Sequence, residues 1–492
     1  MNAVLGAPRT LPLVALLLGA ASVLGFAPFV WFPLPILSLA LLFSLLRGAS
    51  PRQAFTTGWS YGLGLFLVGV SWIDVSLSTY GGMPAALAAL ATFLFCAVIA
   101  LFPALGLWLG ARLTGPGWIR MAVALPAGWA LLEWTRGWLF TGFPWLALGY
   151  SQVPHSPLLG YAPLFGVYGV GLLAALSAGA LATPRLHTLA LLAVIWLGGW
   201  ALNGIQWTRP SGEPIKVALV QGNVAQELKF RPEKLQQTLL DYGRAVLASD
   251  AQLIVLPETA LPVLRSQLSP DYLAMLGEHA RRNGGDVLLG VPESEGDERY
   301  YNSVISVGTS PEGRYRKAHL VPFGEFLPWG FDWVLQVLSI PMSDFSRGAV
   351  DQPPLAAAGQ RLAVNICYED VFGEERIAAA RSSTLLVNVS NDAWFGASLA
   401  PRQHLQIGAM RSLEAGRWQL RANNTGYTAI IDDRGRVRNV LTPFTRGTLE
   451  DKVQGMTGTT PYLRWGNWPA LGLMLLLLGL AWRRSRDADA TH

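Results

Sequence analysis

Cys367 closes the apolar run Leu362-Ala-Val-Asn-Ile366 and is followed at once by Tyr368, Glu369 and Asp370. The run has the length and composition of a buried strand, and Phe372 to Arg381 has the composition of a helix. Together they predict a strand, a sharp turn and a helix, with a thiol at the turn. A helix N-terminus offers free N–H groups and the positive end of a dipole, which favours thiolate. Two further strand ends carry reactive groups: Glu258 follows Leu253-Ile-Val-Leu-Pro257, and Lys317 follows Arg314-Tyr-Arg316. Thiol chemistry at a carbonyl needs a base, an oxyanion stabiliser and a positioned leaving group. Glu258 can be the base if burial raises its pKa. Lys317, with a backbone N–H after Cys367, can hold the oxyanion.

Each residue also has a plainer reading. Most free cysteines are buried structural residues, and a lysine is by default a surface charge. Lysine is scarce here, however. Only Lys216, Lys229, Lys234, Lys317 and Lys452 occur, in a chain that elsewhere uses arginine. That favours a role needing a compact point charge or a proton carrier. A Cys–His arrangement is the competing assignment, with His319 and His404 as candidates and His279 on a surface helix. His319 lies two residues from Lys317 and would share its face on a strand, so the identity of the base stays open. Cys96 sits in Phe93-Leu-Phe-Cys-Ala-Val-Ile99 and reads as a packed small residue, with no disulfide to Cys367 expected. The chain has no C-x-x-C, H-E-x-x-H, G-x-S-x-G or P-loop spacing, so neither metal nor cofactor is expected.

The elements that must position these groups follow from the pattern between Trp207 and Asn467. Strands are expected at Ile215–Val220, Ala251–Leu256, Asp286–Val291, Asn302–Gly308, Leu362–Ile366, Thr384–Val389 and Tyr427–Ile431. Helices are expected at Pro232–Ala248, Tyr272–Arg282 and Phe372–Arg381. Strands alternating with helices argue for an α/β domain with a covered sheet.

The rest of the chain is of another kind. Of its 492 residues 51% are hydrophobic and only 14% charged, against roughly 25% charged in soluble domains. Mean hydropathy is +0.34. Apolar spans recur at about 10–26, 32–46, 54–75, 84–109, 121–140, 162–182, 187–206 and 468–482, which predicts a multi-pass membrane bundle of about eight helices. The first span resembles a signal peptide, but another apolar span follows at once, and the charge pattern requires the first to be kept. Arg9, Arg47, Arg52, Arg112, Arg120, Arg185, Arg483, Arg484 and Arg486 all fall on one side, whereas the opposite loops 76–83 and 141–161 hold no Lys or Arg. Positive charge stays in the cytoplasm, so both termini are expected there and the long 207–467 segment outside. The expected domains are 1–206 as a bundle of about seven helices, 207–466 as the catalytic domain, and 467–492 as a final helix with a basic tail. The net charge of +5 does not point to nucleic acid, because no basic stripe or binding motif accompanies it. A transporter is disfavoured, since intramembrane ionisable residues are few. Glu133 and Arg136, spaced i,i+3, read as a structural pair.

Several motifs in combination carry a family resemblance: Glu133-Trp-Thr-Arg-Gly137, Val220-Gln-Gly-Asn223, Pro257-Glu258, His319-Leu-Val-Pro-Phe-Gly-Glu325, Cys367-Tyr-Glu369 and Ser390-Asn-Asp-Ala-Trp-Phe-Gly396. The segment outside the bundle resembles the nitrilase (carbon–nitrogen hydrolase) superfamily, with its αββα sandwich. The chain as a whole resembles the bacterial apolipoprotein N-acyltransferase family. The resemblance implies Glu258 as general base, Lys317 as oxyanion stabiliser and Cys367 as nucleophile. Glu325 would be a supporting acid, with Tyr368 and Glu369 shaping the pocket. Phe230 stands where the family often has Trp, which keeps the aromatic ring and loses an indole N–H. The implied reaction takes an acyl chain from a phospholipid as a thioester and passes it to the α-amino group of a diacylglyceryl-cysteine lipoprotein. It implies a multi-pass protein of the bacterial inner membrane with a periplasmic catalytic domain.

Two other functions compete. One is a membrane-tethered amidase of the nitrilase type, with water as acceptor; the other is a transporter or receptor with an inert outer domain. One stretch bears on lipid access. Phe326 to Met342 carries Trp329, Phe331, Trp333, Leu335, Leu338 and Ile340 with a single charge, Asp332, between prolines 328 and 341. Such a mixture suits a bilayer interface, and a mobile arm dipping into the outer leaflet is expected there. The competing reading is an ordinary buried helix.

Overall fold

The structure, a computed structural model, describes residues 10–296, 299–327 and 344–490. The expected arm, with Trp329, Phe331, Trp333 and Leu335, lies outside the described residues. The chain divides into two compact units. One takes the chain up to Asp74, Ala85–Gln206 and the chain from Trp465; the other takes Val75–Pro84 and Trp207–Arg464.

The first unit is helical. Its longer helices are Leu11–Ser22, Pro33–Leu45, Pro51–Gly69, Ala85–Ile99, Leu101–Leu113, Leu125–Arg136, Ala162–Ala182, Leu186–Leu202 and Trp468–Ala490. Among the described residues two runs, Ala85–Leu113 and Pro157–Ala182, are long and apolar enough to cross a membrane by length and composition. A third qualifies if Pro51–Gly69 and Ile73–Tyr80, bent by 55°, form one span. The apolar helices Leu11–Gly25, Pro33–Leu45 and Leu186–Leu202 are shorter than the bilayer core, which needs about 20 residues. Glycine sets the closest packing. A Cβ on Gly19 would meet the Tyr61 carbonyl oxygen at 1.9 Å, and one on Gly64 would meet that of Leu16 at 2.0 Å, so these two helices touch backbone to backbone, as membrane helices do. Leu186, Val194, Leu197 and Trp200 are exposed along one helix, an apolar face suited to lipid.

Glu133 and Arg136 serve the backbone of this unit. Glu133 Oε1 accepts from the Leu148 N–H at 2.9 Å, and Arg136 donates to the carbonyls of Phe143 and Trp145. Their own separation is 4.0 Å. The pair holds the irregular chain after the Leu125–Arg136 helix, where Phe140 and Thr141 take positive φ, and that chain ends the helix before the expected Phe140.

Among the described residues the second unit contains fourteen strands. In chain order they are β1 (Thr208–Pro210), β2 (Ile215–Gln221), β3 (Leu253–Val255), β4 (Asp286–Glu295), β5 (Arg299–Gly308), β6 (Arg314–Arg316) and β7 (Leu355–Ala357). They continue as β8 (Gln360–Ile366), β9 (Leu385–Ser390), β10 (Gln419–Asn423), β11 (Ala429–Ile431), β12 (Val437–Val440), β13 (Gly447–Val453) and β14 (Met456–Gly458). One six-stranded sheet runs β13-β2-β3-β4-β5-β6, and the other β12-β11-β10-β9-β8-β7. β1 and β14 form a separate ribbon. The central neighbours β2-β3-β4 and β8-β9-β10 are parallel.

Side-chain alternation sorts each sheet into two faces. Val217, Leu219, Leu253, Val255 and Leu288 of the first sheet pack against Leu362, Val364, Ile366, Leu385, Val387 and Val389 of the second. The alternate residues of the first sheet, among them Ala218, Val220, Ile254, Val287 and Leu289, pack with Tyr242 and Val246 of helix Pro232–Leu247 and with Leu276 and Ala280 of helix Pro270–Arg282. Ala363 and Leu386 of the second sheet pack with Ala380 and Ala415 of helices Gly373–Ser382 and Ala400–Ala415. The layers are therefore helix, sheet, sheet, helix. Each buried Val, Leu or Ile contributes about 1.5–3 kcal/mol, and a one-residue slip would turn a strand's set to the wrong face. This fixes which residue stands at each strand end.

Candidate active site

Cys367 follows β8 directly and opens the 3₁₀ turn Cys367–Val371. Its φ of 54° lies in the left-handed region, which a residue with a Cβ enters only under restraint. Asn388 of β9 supplies one restraint, donating Nδ2–H to the Cys367 carbonyl at 3.2 Å. Glu369 supplies another. Its Oε2 accepts from the Ile366 N–H at 2.8 Å, and its Oε1 from the N–H groups of Ala318 and His319 at 2.8 and 3.0 Å. The Tyr315 hydroxyl donates to the same carboxylate at 2.9 Å. Glu369 is fully buried, and it ties the cysteine elbow to the chain around Lys317 while lying beneath the site.

Lys317, one residue past β6, is 1% exposed. Its Nζ donates to Glu325 Oε1 at 2.8 Å and to Glu258 Oε1 at 3.3 Å. Burial alone would lower the ammonium pKa, but the Glu325 and Glu258 carboxylates outweigh it and hold it above the ordinary lysine value. Asn302 Nδ2 bridges the same two oxygens, donating to Glu258 at 2.7 Å and Glu325 at 3.1 Å. Glu325 is also fixed by the Val321 N–H at 2.9 Å. Glu258 lies three residues beyond β3, just before Thr259, whose φ is also positive. Lys229, 4% exposed, donates to the Glu258 carbonyl at 3.0 Å. Burial draws its pKa down to about 8, against the pull of Glu258 and Cys367.

The thiol is not biased toward thiolate, contrary to the expectation from a helix N-terminus. Burial pushes Cys367 well above the usual cysteine range and Glu258 adds to this, with Lys317 only partly offsetting them. The residue heads a five-residue 3₁₀ turn, too short for a sizeable dipole, and α-helix resumes only at Gly373. A neutral thiol needs a base before its sulfur can act as a nucleophile.

Glu258, Lys317, Glu325 and Cys367 thus come together. Tyr368 is half-buried, edge-on to Phe372 with centroids 5.0 Å apart. Phe230 is half-buried next to Lys229. His319 turns to Glu375, with Nδ1 to Oε1 at 2.8 Å, and stacks on Phe372. His404 pairs with Asp392 at 3.0 Å. Sequence reasoning passed over Asn302 and gave Lys229 no role. The scarcity of lysine that singled out Lys317 was an equal signal for Lys229.

The description "Apolipoprotein N-acyltransferase N-terminal domain" belongs to a family model matching residues 18–180, and "Carbon-nitrogen hydrolase" to one matching 216–462. An apolipoprotein N-acyltransferase of Nitrosomonas europaea is 53% identical over 484 residues, 95% of this chain and 97% of the relative. One of Chromobacterium violaceum is 47% identical, covering 96% and 94%. Among solved structures, an amidase of the nitrilase superfamily from Nesterenkonia AN1 is 20% identical with a TM-score of 0.37, covering 52% of this chain and 95% of that one. Over nearly its whole length, then, helices and sandwich alike, the chain belongs to the apolipoprotein N-acyltransferase family.

Proposed function

We propose that the chain moves an acyl group from a membrane phospholipid to the α-amino group of a diacylglyceryl-cysteine lipoprotein, in two steps at Cys367. The observation that carries this reading is the convergence of Glu258, Lys317 and Cys367 from three strand ends, with the thiol held neutral against a carboxylate. In the first step Glu258 takes the thiol proton as sulfur attacks the ester carbonyl. Lys317 and a backbone N–H after Cys367 stabilise the oxyanion. The intermediate then collapses: the carbon–oxygen bond breaks, Glu258 returns the proton to the alkoxide, and lysophospholipid leaves a thioester. In the second step the amine attacks the thioester and Glu258 receives its proton. The carbon–sulfur bond breaks and sulfur regains a proton, leaving an amide. Splitting the transfer this way replaces one hard step by two easier ones.

Glu325 keeps Lys317 positioned and charged, Asn302 sets the spacing of the two carboxylates, and Glu369 holds the elbow. Tyr368 and Phe230 are assigned to the walls of the acyl and peptide pocket. The arginine asymmetry and the apolar helices support a multi-pass protein of the bacterial inner membrane, with about eight spans, the catalytic domain in the periplasm and both termini in the cytoplasm. An amidase would share the chemistry with water as acceptor. The acyltransferase relatives match the helices as well as the sandwich, which favours a lipid donor. Incubation with acyl-labelled phospholipid and a diacylglyceryl lipopeptide separates the two readings. Label in the amide of the lipopeptide is expected; label released only as free fatty acid would favour the hydrolase.

A further inference from the structure

The Cys367 carbonyl ends a row of polar side chains that the reaction above does not use. Asn388 Nδ2 donates to that carbonyl at 3.2 Å and to Asn365 Oδ1 at 2.5 Å. Asn365 Nδ2 donates in turn to Asp370 Oδ1 at 3.3 Å. Asp370 also accepts from Gln419 Nε2 at 3.0 Å and from the Arg421 guanidinium. All five side chains are buried, and Asn365 and Asn388 stand side by side in the register of β8 and β9.

Asp370 sets the direction of this row. Arginine keeps its proton in proteins, and the carboxylate paired with it can only accept. Asn365 must therefore turn its NH2 group to Asp370 and its oxygen to Asn388. Asn388 must then turn its own NH2 group to that oxygen, and the second N–H of the group meets the Cys367 carbonyl. Neither amide can flip without setting oxygen against oxygen.

The two faces of the sheet show where this leaves the next backbone N–H. Val364, Ile366, Val387 and Val389 pack between the sheets, as does Cys367. Ala363 and Leu386 pack toward the helices, and by alternation Asn365 and Asn388 share their side. Asn388 therefore draws the Cys367 carbonyl toward the helix side of the second sheet. The Cys367–Tyr368 peptide is trans, so its N–H points opposite to its carbonyl, toward the space between the sheets. Asn302 lies on the face of β5 that carries Val304 into the same space. It holds the Glu258 carboxylate there, and Lys317 is bonded to that carboxylate.

We propose that Asn388, aimed by Asn365 and Asp370, is a positioning residue that points the Tyr368 N–H at the oxyanion formed on the ester carbonyl, opposite Lys317. The inference rests on the proposed reading of Cys367 as the nucleophile that takes up the acyl group. The φ of 54° at Cys367 takes this peptide out of the strand, so no sheet partner fixes its plane, and the Asn388 bond does so instead. A donor set in place before charge develops needs no reorganisation during the reaction.

The test compares two reactions of one thiol. Full-length protein carrying Cys96→Ala, in detergent, is followed by intact mass spectrometry. Loading from phospholipid passes through a tetrahedral oxyanion, whereas alkylation by iodoacetamide displaces iodide and forms none. Asn388→Ala should lower the loading rate by about 10²–10³-fold, the loss of one oxyanion donor, with the KM for phospholipid unchanged. Alkylation should stay near the parent rate. Loading at the parent rate by folded Asn388→Ala overturns the proposal. So does an equal fall in both reactions, which would make Asn388 a support of the whole elbow. Should Asn388→Ala fail to fold, Asn388→Ser, whose hydroxyl ends one bond short of the amide nitrogen, decides in the same two assays. A parent protein that is alkylated but never loads would overturn the proposed function, and this inference with it.

Discussion

The Lys317 ammonium lies closer to Glu325 than to Glu258, 2.8 against 3.3 Å. The shorter, charge-assisted bond is the stronger, so Glu325 is the main anchor of the lysine. Glu258 shares the ammonium at the longer distance.

This relationship predicts how the two acids differ. Glu258→Gln removes the base and should abolish thioester formation. Glu325→Gln keeps an oxygen acceptor but loses the charge that holds Lys317, and should reduce the loading rate by about 10²–10³-fold. Single-turnover loading with phospholipid measures both. Normal loading by Glu258→Gln would remove it as base and reopen the case for a histidine.

Glu369 is a strut, and its loss should be felt as stability. It is fully buried and receives four different donors besides the nearby Arg376. Glu369→Gln removes one of the two carboxylates beside Arg376 and replaces an acceptor oxygen by a donor, at a cost of about 3 kcal/mol. Denaturation of the purified variant checks this. A wild-type melting profile with lost activity would instead make Glu369 a direct participant.

Lys229 predicts a pH dependence. Its folded pKa is drawn down to about 8 by burial, below the unfolded lysine value of about 10.4. Below about pH 8 both states carry the proton, and the buried charge costs stability in full. Between the two values the unfolded chain binds more protons, so this residue's contribution to stability rises with pH. The melting temperature of wild type minus that of Lys229→Met should therefore increase from about pH 7 to about pH 10. A constant difference would mean that Lys229 does not titrate there.

Topology is tested by cysteines introduced into a protein lacking Cys96 and Cys367. Arg436→Cys, exposed just before β12, should be labelled by an impermeant reagent from the periplasm, and Arg185→Cys only after permeabilisation. The opposite pattern would reverse the proposed orientation.

How much could be read from sequence depended on which interactions were local. The ends of β3 and β8 were legible because Leu253–Leu256 is an uninterrupted apolar run and Leu362–Ile366 is broken only by Asn365, and the reactive residue after each stands out. Lys317 was legible against a background of arginine. Asn302 was not, since a single amide inside a strand gives no periodic signal, and its value lies in bridging two carboxylates distant in sequence. The positive φ of Cys367 was equally hidden, because it is imposed by Asn388 and Glu369 through the fold. The thiolate expectation failed for a related reason. It rested on a local helix dipole, while burial, a tertiary property, dominates the thiol. Short strands such as β10 and β12 were missed because polar residues interrupt them, and their pairing comes from the sheet.

The most direct measurement is intact-mass and peptide mass spectrometry of the purified full-length protein after incubation with phospholipid alone. The account predicts one acyl adduct, located on Cys367, absent from Cys367→Ala, retained in Cys96→Ala, and discharged when diacylglyceryl lipopeptide is added. Acyl transfer to the lipopeptide by Cys367→Ala, or an adduct on another residue that the lipopeptide discharges, would contradict it.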